Sequence, residues 1–248
     1  MIRPFKRIFS LIVIMGITHL TLAQGMKMGE VIFMSNPGLK NDLKPEALQD
    51  YINDEIKPAW KPWVTTHLFR ADRGEQKGEY LLVCSLAKAK DRDALPDGSP
   101  FKENAYTEYR LIGGDKLKSL PVAGILGTHF MKVKPERSVE FEKFVVEKLH
   151  PSLAQLLPDM GLLYYKAVAG ENSGAYVTIF AIQSPAARDK YWPSGAPETE
   201  VLKQTFRPLK EVAVQLGSYL LEDSYLKPDS GGAAAYFESV RWTDFIHQ

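Results

Sequence analysis

The chain has little that advertises chemistry. It holds a single cysteine, Cys84, in 248 residues, which excludes an intrachain disulfide framework and a cysteine-based metal cluster. Charge of one sign is lacking too: 31 Lys and Arg face 30 Asp and Glu, a formal net charge of +1. Without a basic stripe there is no electrostatic footprint for DNA or RNA. The histidines show no His-Glu-x-x-His and no Cys-His cluster, and there is no acidic calcium loop. Nucleophile elbows and Gly-rich phosphate loops between strand and helix are missing as well. No metal site and no cofactor are therefore expected from motifs.

Long hydrophobic runs are confined to the N-terminus. Arg3, Lys6 and Arg7 precede an apolar stretch from Ile8 to Leu22, and Thr21-Leu-Ala23 has small residues where a signal peptidase cuts. That stretch is shorter than the roughly 20 residues of a bilayer span and is interrupted by Thr18 and His19. Residues 1–23 read as a signal peptide, the mature chain starting near Gln24 with no membrane span, exported to the periplasm or beyond. Cleavage removes three basic residues, leaving 28 against 30 acidic ones. A nearly neutral exported surface points to a small molecule or another protein as partner, with a homo-oligomer left open. Cys84, inside the apolar run Tyr80-Leu-Leu-Val-Cys-Ser, reads as a buried strand residue.

An internal repeat organises the rest. Arg70 to Tyr80 aligns without a gap on Lys166 to Tyr176, and Ala71, Gly74, Glu75, Gly78 and Tyr80 recur as Ala167, Gly170, Glu171, Gly174 and Tyr176. Chance would give about one match. The register extends from Pro62 and Pro158 to Arg92-Asp93 and Arg188-Asp189, then slips by one for Pro96, Gly98 and Pro100 against Pro193, Gly195 and Pro197. Lys44-Pro45 lines up with Lys134-Pro135 upstream. The expected division is a first repeat over 24–122, a second over 123–227, and a linker with a C-terminal docking strand over 228–248.

Periodicity places the elements. In the second repeat Gly127–Val133 alternates as a strand, and Pro135 opens a helix carrying Phe141, Phe144, Val145, Leu149, Leu153 and Leu156. Leu162–Val168 and Tyr176–Ile182 form a hairpin around Gly170 and Gly174. A helix over Glu198–Leu216 and a strand over Ser218–Tyr225 complete β-α-β-β-α-β, the ferredoxin-like order. The first repeat offers a strand at Glu30–Ser35, a helix at Pro45–Ile56 and a hairpin of Thr65–Ala71 with Glu79–Ser85. Ala105–Ile112 fits either a strand or a degraded helix, and Gly113-Gly114 breaks any long helix. The aromatic, alternating tail Tyr236–Ile246 follows Ser230-Gly-Gly-Ala-Ala-Ala235 and is expected to dock as an extra strand on a sheet edge.

Two such sheets, each covered by helices on one face, bury their other faces against each other. In topology and repeat pattern the chain resembles the dimeric α+β barrel superfamily, which includes antibiotic-biosynthesis-monooxygenase-like and NIPSNAP-like proteins. Phe141-Glu-Lys-Phe-Val-Val-Glu-Lys-Leu-His-Pro151, Arg188-Asp-Lys-Tyr-Trp-Pro193 and Ala233-Ala-Ala-Tyr-Phe-Glu238 resemble stretches of exported bacterial proteins without an assigned function. The resemblance implies an α+β fold in which tandem repeats close one barrel within a single chain. It also implies a ligand cleft between sheet and helices, used in that superfamily by monooxygenases, isomerases and haem-binding proteins. Catalytic residues vary among its branches, so none is carried over.

Candidate residues follow from that cleft. His67 in the first repeat and His129 in the second each sit on a strand where they can face it as a proton acceptor; the plainer reading is a hydrogen-bonded strand histidine. His150 lies late in a helix before Pro151, where capping is the plain role, although some proteins in the superfamily hold haem iron by a helix histidine. Trp60, Trp63, Tyr164 and Trp192 are the candidate ligand-binding aromatics; two prolines stiffen Lys57–Trp63, and the second repeat lacks its tryptophans. Arg92-Asp93 and Arg188-Asp189 read as loop ties. Three functions stay open: binding of a small apolar or aromatic ligand, a cofactor-independent monooxygenase-like enzyme, or an interaction module of the cell envelope.

Overall fold

The structure, a computed structural model, describes residues 27–35, 50, 53–54, 64–72, 77–95, 106–116, 124–170, 172–191, 204 and 207–221, and the backbone of 243–247. The strands are β1 (Val31–Ser35), β2 (Val64–Ala71), β3 (Tyr80–Leu86), β4 (Thr107–Gly114), β5 (Ile125–Met131), β6 (Met160–Ala169), β7 (Tyr176–Ile182) and β8 (Thr243–His247). They form one curled antiparallel sheet that closes on itself in the order β1-β3-β2-β8-β5-β7-β6-β4. Two runs within this ring, β4-β1-β3-β2 and β8-β5-β7-β6, repeat one relative order.

Glycines shape the hairpin that joins β6 to β7. Gly170 has φ +92° and Gly174 φ +88°, and a Cβ on Gly170 would lie 2.4 Å from the Tyr106 carbonyl oxygen, so no side chain fits. The segment 105–112, open to two readings in the sequence, is strand at Thr107–Gly114. Gly114, φ +128°, ends it where the backbone passes Leu162 too closely for any Cβ.

Helices cover one face. A 3₁₀ turn at Pro135–Arg137 leads into α1 (Ser138–Phe144), a π-helical turn at Val145–Leu149 and α2 (His150–Leu156), one continuous helical rod. Phe141, Phe144, Val145, Leu149 and Leu153 recur at helical spacing and are all buried, each contributing about 1.5–3 kcal/mol of apolar burial. A short helix α3 (Pro185–Asp189) and α4 (Lys210–Tyr219) follow, with 3₁₀ turns at Ala89–Ala94 and Arg207–Leu209.

The two faces of the sheet have separate cores. Phe141, Phe144, Leu149 and Leu153 from the rod pack with Ile125, Met131, Leu162, Tyr164, Phe180 and Ile182 from the strands. Inside the barrel, strands from around the ring meet one another through Ile32, Phe69, Val83, Tyr109, Leu126, Leu163 and Ile179. There the Tyr165 hydroxyl donates to the Gly29 carbonyl oxygen over 2.8 Å, joining the β6 and β1 regions.

Two expectations need correction. Where the strand proposed at Ser218–Tyr225 is described, over 218–221, it differs: Ser218 and Tyr219 end α4, and Leu220 makes an isolated bridge with Val133. The C-terminal strand does not decorate an edge. β8 lies between β2 and β5, pairing Phe69–Ala71 on one side and Ile125–Thr128 on the other. Of the expected helix at Pro45–Ile56 only residues 50, 53 and 54 are described, all helical, and the signal segment 1–23 lies outside the described residues.

Candidate functional site

Alternation along a strand decides which residues face the helices. On β5, Ile125 and Met131 belong to the helix-side core and Leu126 to the barrel interior, so His129 faces the helices. On β7, Tyr176, Phe180 and Ile182 set the same face for Thr178; on β6, Met160 and Leu162 set it for Tyr164. Register then joins them, because His129 pairs with Thr178 and Thr178 with Tyr164. The result is a polar row across three neighbouring strands beneath the helical rod. On β4 the next position is Gly113, where a Cβ would come 2.9 Å from Val146, so the rod approaches the sheet closely there.

The row is buried and its groups are costly to bury. Burial pushes the His129 imidazole from 6.5 down to about 3, which keeps it neutral. Thr178 is 2% exposed, and its hydroxyl oxygen has no hydrogen-bond partner in the structure. A buried polar group in that condition costs about 1–3 kcal/mol. Tyr164, 1% exposed, brings its ring edge-on to His150, with centroids 5.9 Å apart.

His150 enters from the rod at a distortion. Its N–H bonds the Val145 carbonyl in the π pattern, five residues back, and Pro151 beside it has no N–H to give a regular helix. The Nε2 atom lies 3.5 Å from Asp115 Oδ1. Asp115 is itself fixed at the start of β6: its Oδ2 accepts the Leu162 N–H at 2.7 Å, and its own N–H donates to the Leu162 carbonyl at 2.8 Å. Nδ1 of His150 is buried without a hydrogen-bond partner. As placed, the residue does not fit haem ligation through Nε2, because Asp115 stands at that nitrogen.

The other candidates fall elsewhere. His67 shares its face of β2 with Phe69 and Ala71, which line the barrel interior; its ring centroid is 6.4 Å from that of Phe69. His67 and His129 therefore lie on opposite faces of the sheet, and the expectation that either could face the helix-side cleft holds for His129 alone. Trp60, Trp63 and Trp192 lie outside the described residues. Arg188 is a tie, as expected, to Asp189 at 2.9 Å, and it reaches Asp72 at the end of β2 over the same distance. Arg92 instead bonds Glu108 at 3.1 Å rather than Asp93. Burial raises the Cys84 thiol to about 12, so it stays protonated and inert. Among the described residues no group of three His, Cys, Asp or Glu could hold a metal ion.

Thr178, Asp115 and the inward role of His150 were missed from the sequence. The sequence contained a signal for the first: at the offset of 96 that aligns the two hairpins, Thr178 and Tyr164 stand opposite Leu82 and Leu68. Those leucines and Ser35 occupy the corresponding register in β1, β3 and β2, since Leu82 pairs with both Ser35 and Leu68. Asp115 carries no such mark, because it closes a turn whose partner becomes visible only once β4 and β6 pair.

No protein-family model matches the sequence, and no curated protein matches it. Among solved structures the chain is similar to an anthrone oxidase-like protein, at 11% identity and a TM-score of 0.49, over 88% of this chain and 90% of that one. It is similar to a heme-degrading enzyme from Listeria monocytogenes at 10% identity and a TM-score of 0.41, over 88% of this chain and 99% of the other. A heme-binding protein from Thermus thermophilus matches over 88% of this chain and 89% of its own, at 10% identity and a TM-score of 0.35.

Proposed function

We propose that this chain is an exported protein, built from two tandem ferredoxin-like repeats, that binds a small apolar or aromatic molecule between the helical rod and the sheet of its second half. The observation that carries the reading is the Thr178 hydroxyl, buried without a partner in a row with His129 and Tyr164, where the first half has Leu82 at the place of Thr178 and Leu68 at that of Tyr164. A packing role would be served better by an aliphatic side chain; a ligand hydroxyl or carbonyl gives the group a partner. The repeated strand order and the five identities across the β-hairpins support the duplication. The basic start and apolar run at the N-terminus support export, which N-terminal sequencing of chain recovered outside the cytoplasm tests.

Thr178→Val tests the ligand reading. Removing an unpartnered hydroxyl at constant shape raises unfolding stability by about 1 kcal/mol and weakens binding of a co-purifying molecule, identified by mass spectrometry, by about tenfold. Higher stability with unchanged binding, or no small molecule bound by the purified chain under any panel, sends the protein to the third reading, an interaction module of the envelope. A Soret band in the purified protein would restore haem.

A monooxygenase-like enzyme without a metal is the second reading. Of its two sequence-picked proton acceptors, His67 faces the barrel, and His129 is held neutral with about 5 kcal/mol against protonation at neutral pH. Asp115 against His150 favours keeping the reading, with a different histidine.

A further inference from the structure

We propose that His150, oriented by Asp115, is a proton acceptor for a weakly acidic hydroxyl, phenolic or enolic, on the molecule held between rod and sheet. This rests on the ligand-binding reading above and adds the chemical class of the ligand and the group that meets it.

The arrangement is that of a base with an orienting carboxylate. Two hydrogen bonds to the Leu162 backbone hold Asp115 so that Oδ1 is left for Nε2. A carboxylate facing Nε2 selects the tautomer that carries its proton there, which puts the lone pair on Nδ1. Nδ1 is the buried atom without a partner, so the one basic lone pair of the ring lies within the helix–sheet layer. The π turn belongs to the same feature: it passes the His150 N–H to Val145 and changes the winding of the rod immediately before the histidine.

Charge narrows the ligand. Among the described residues, Asp115 at the end of β4 and Tyr164 on β6 face His150; on its own rod the preceding turn carries the exposed Glu147 and Lys148, the lysine bonded across to Gln215 on α4 at 3.1 Å. A ligand that arrives as a carboxylate adds a negative charge to a layer that already contains the Asp115 carboxylate. A neutral weak acid does not. Its O–H bond breaks, the proton goes to Nδ1, the electron pair stays on the ligand oxygen, and the imidazolium formed lies beside Asp115. Net charge in the layer is unchanged by the transfer, which needs no oxidant or metal. A flat ring also suits the Tyr164 face and the apolar walls of the layer.

The probes are 4-nitrophenol, whose phenolate absorbs in the visible, and 4-nitroanisole, its methyl ether with no proton to give. With the full mature chain, at a pH below the phenol's own pKa, bound nitrophenol is expected to show the phenolate band. His150→Gln and Asp115→Asn are each expected to lower the phenolate fraction and to cut the ratio of nitrophenol to nitroanisole affinity by about tenfold. A wild-type strength band in His150→Gln overturns the proposal, as does binding of both probes to the wild type with no band. Failure of either probe to bind the wild type overturns the ligand reading itself, and this proposal with it. Side-chain ¹⁵N NMR gives a readout without ligand and without a variant: neutral His150 protonated at Nε2 is expected, and the Nδ1-protonated tautomer overturns the assignment.

Discussion

The two halves of the ring differ most where their backbones agree best. Beneath the rod, the second half presents His129, Thr178 and Tyr164 in register; the first half has Ser35, Leu82 and Leu68 at the matching positions. The leucines join the apolar cluster with Val31, Phe33 and Cys84. The frame thus accepts aliphatic side chains at two of these three places, and the polar groups there cost stability. That cost falls in only one of the two matching places, the contrast on which the proposed ligand site rests.

The largest test of that contrast is pH. His129 titrates at 6.5 when unfolded and near 3 when folded, so the folded state binds fewer protons between those values. Stability is full above pH 6.5 and falls by about 1.4 kcal/mol per unit as the pH drops toward 3. Urea unfolding across that range, compared with His129→Gln, is expected to show a slope in the wild type that the variant lacks; equal slopes would mean that the imidazole is not held dry.

Next in size is the reverse transplant. Leu82→Thr places an unpartnered hydroxyl in the first half and removes buried methyl groups, an expected loss of about 3 kcal/mol. If the loss is under about 1 kcal/mol, polar burial in this layer is cheap and the contrast between the halves loses its meaning. The smallest effect concerns the duplicated arginines. Arg188, with 5% of its side chain exposed, reaches Asp72 at the end of β2, whereas Arg92 stays with Glu108 near its own hairpin. Since Asp72 is 40% exposed, Asp72→Asn is expected to cost only about 1 kcal/mol in chemical denaturation.

Much of the frame was legible locally. β7 occupies Tyr176–Ile182 as read from alternation, and β2, β3, β5 and β6 start within two residues of their expected places. What could not be read is pairing. Ser218–Tyr225 looked like a fourth strand because it follows a helix and alternates, but alternation says nothing about which edge is vacant. The partner of β2 and β5 comes only after the Gly- and Ala-rich linker, at Thr243. The same limit explains the site. His129 and Tyr164 were chosen for residue type, and Thr178 lies between them only through cross-strand register. The face of His67 is not legible locally, because a shift of one residue changes the face of a strand; at an offset of 96 it aligns with Leu163, a barrel-interior residue. Asp115 and the inward face of His150 depend on the π turn and on the β4–β6 pairing, neither of which leaves a periodic trace.

The position of β8 has a consequence for how the molecule comes to exist. Thr243–His247 follows every other described strand, yet it is the stave that joins β2 to β5. Until it emerges, two long strands present unsatisfied N–H and C=O groups side by side, the condition under which chains exchange strands with their neighbours or aggregate. The hoop is therefore completed from the tail. A nascent or clipped chain without those five residues lacks one strand of the second run and carries two sticky rims in place of a seam.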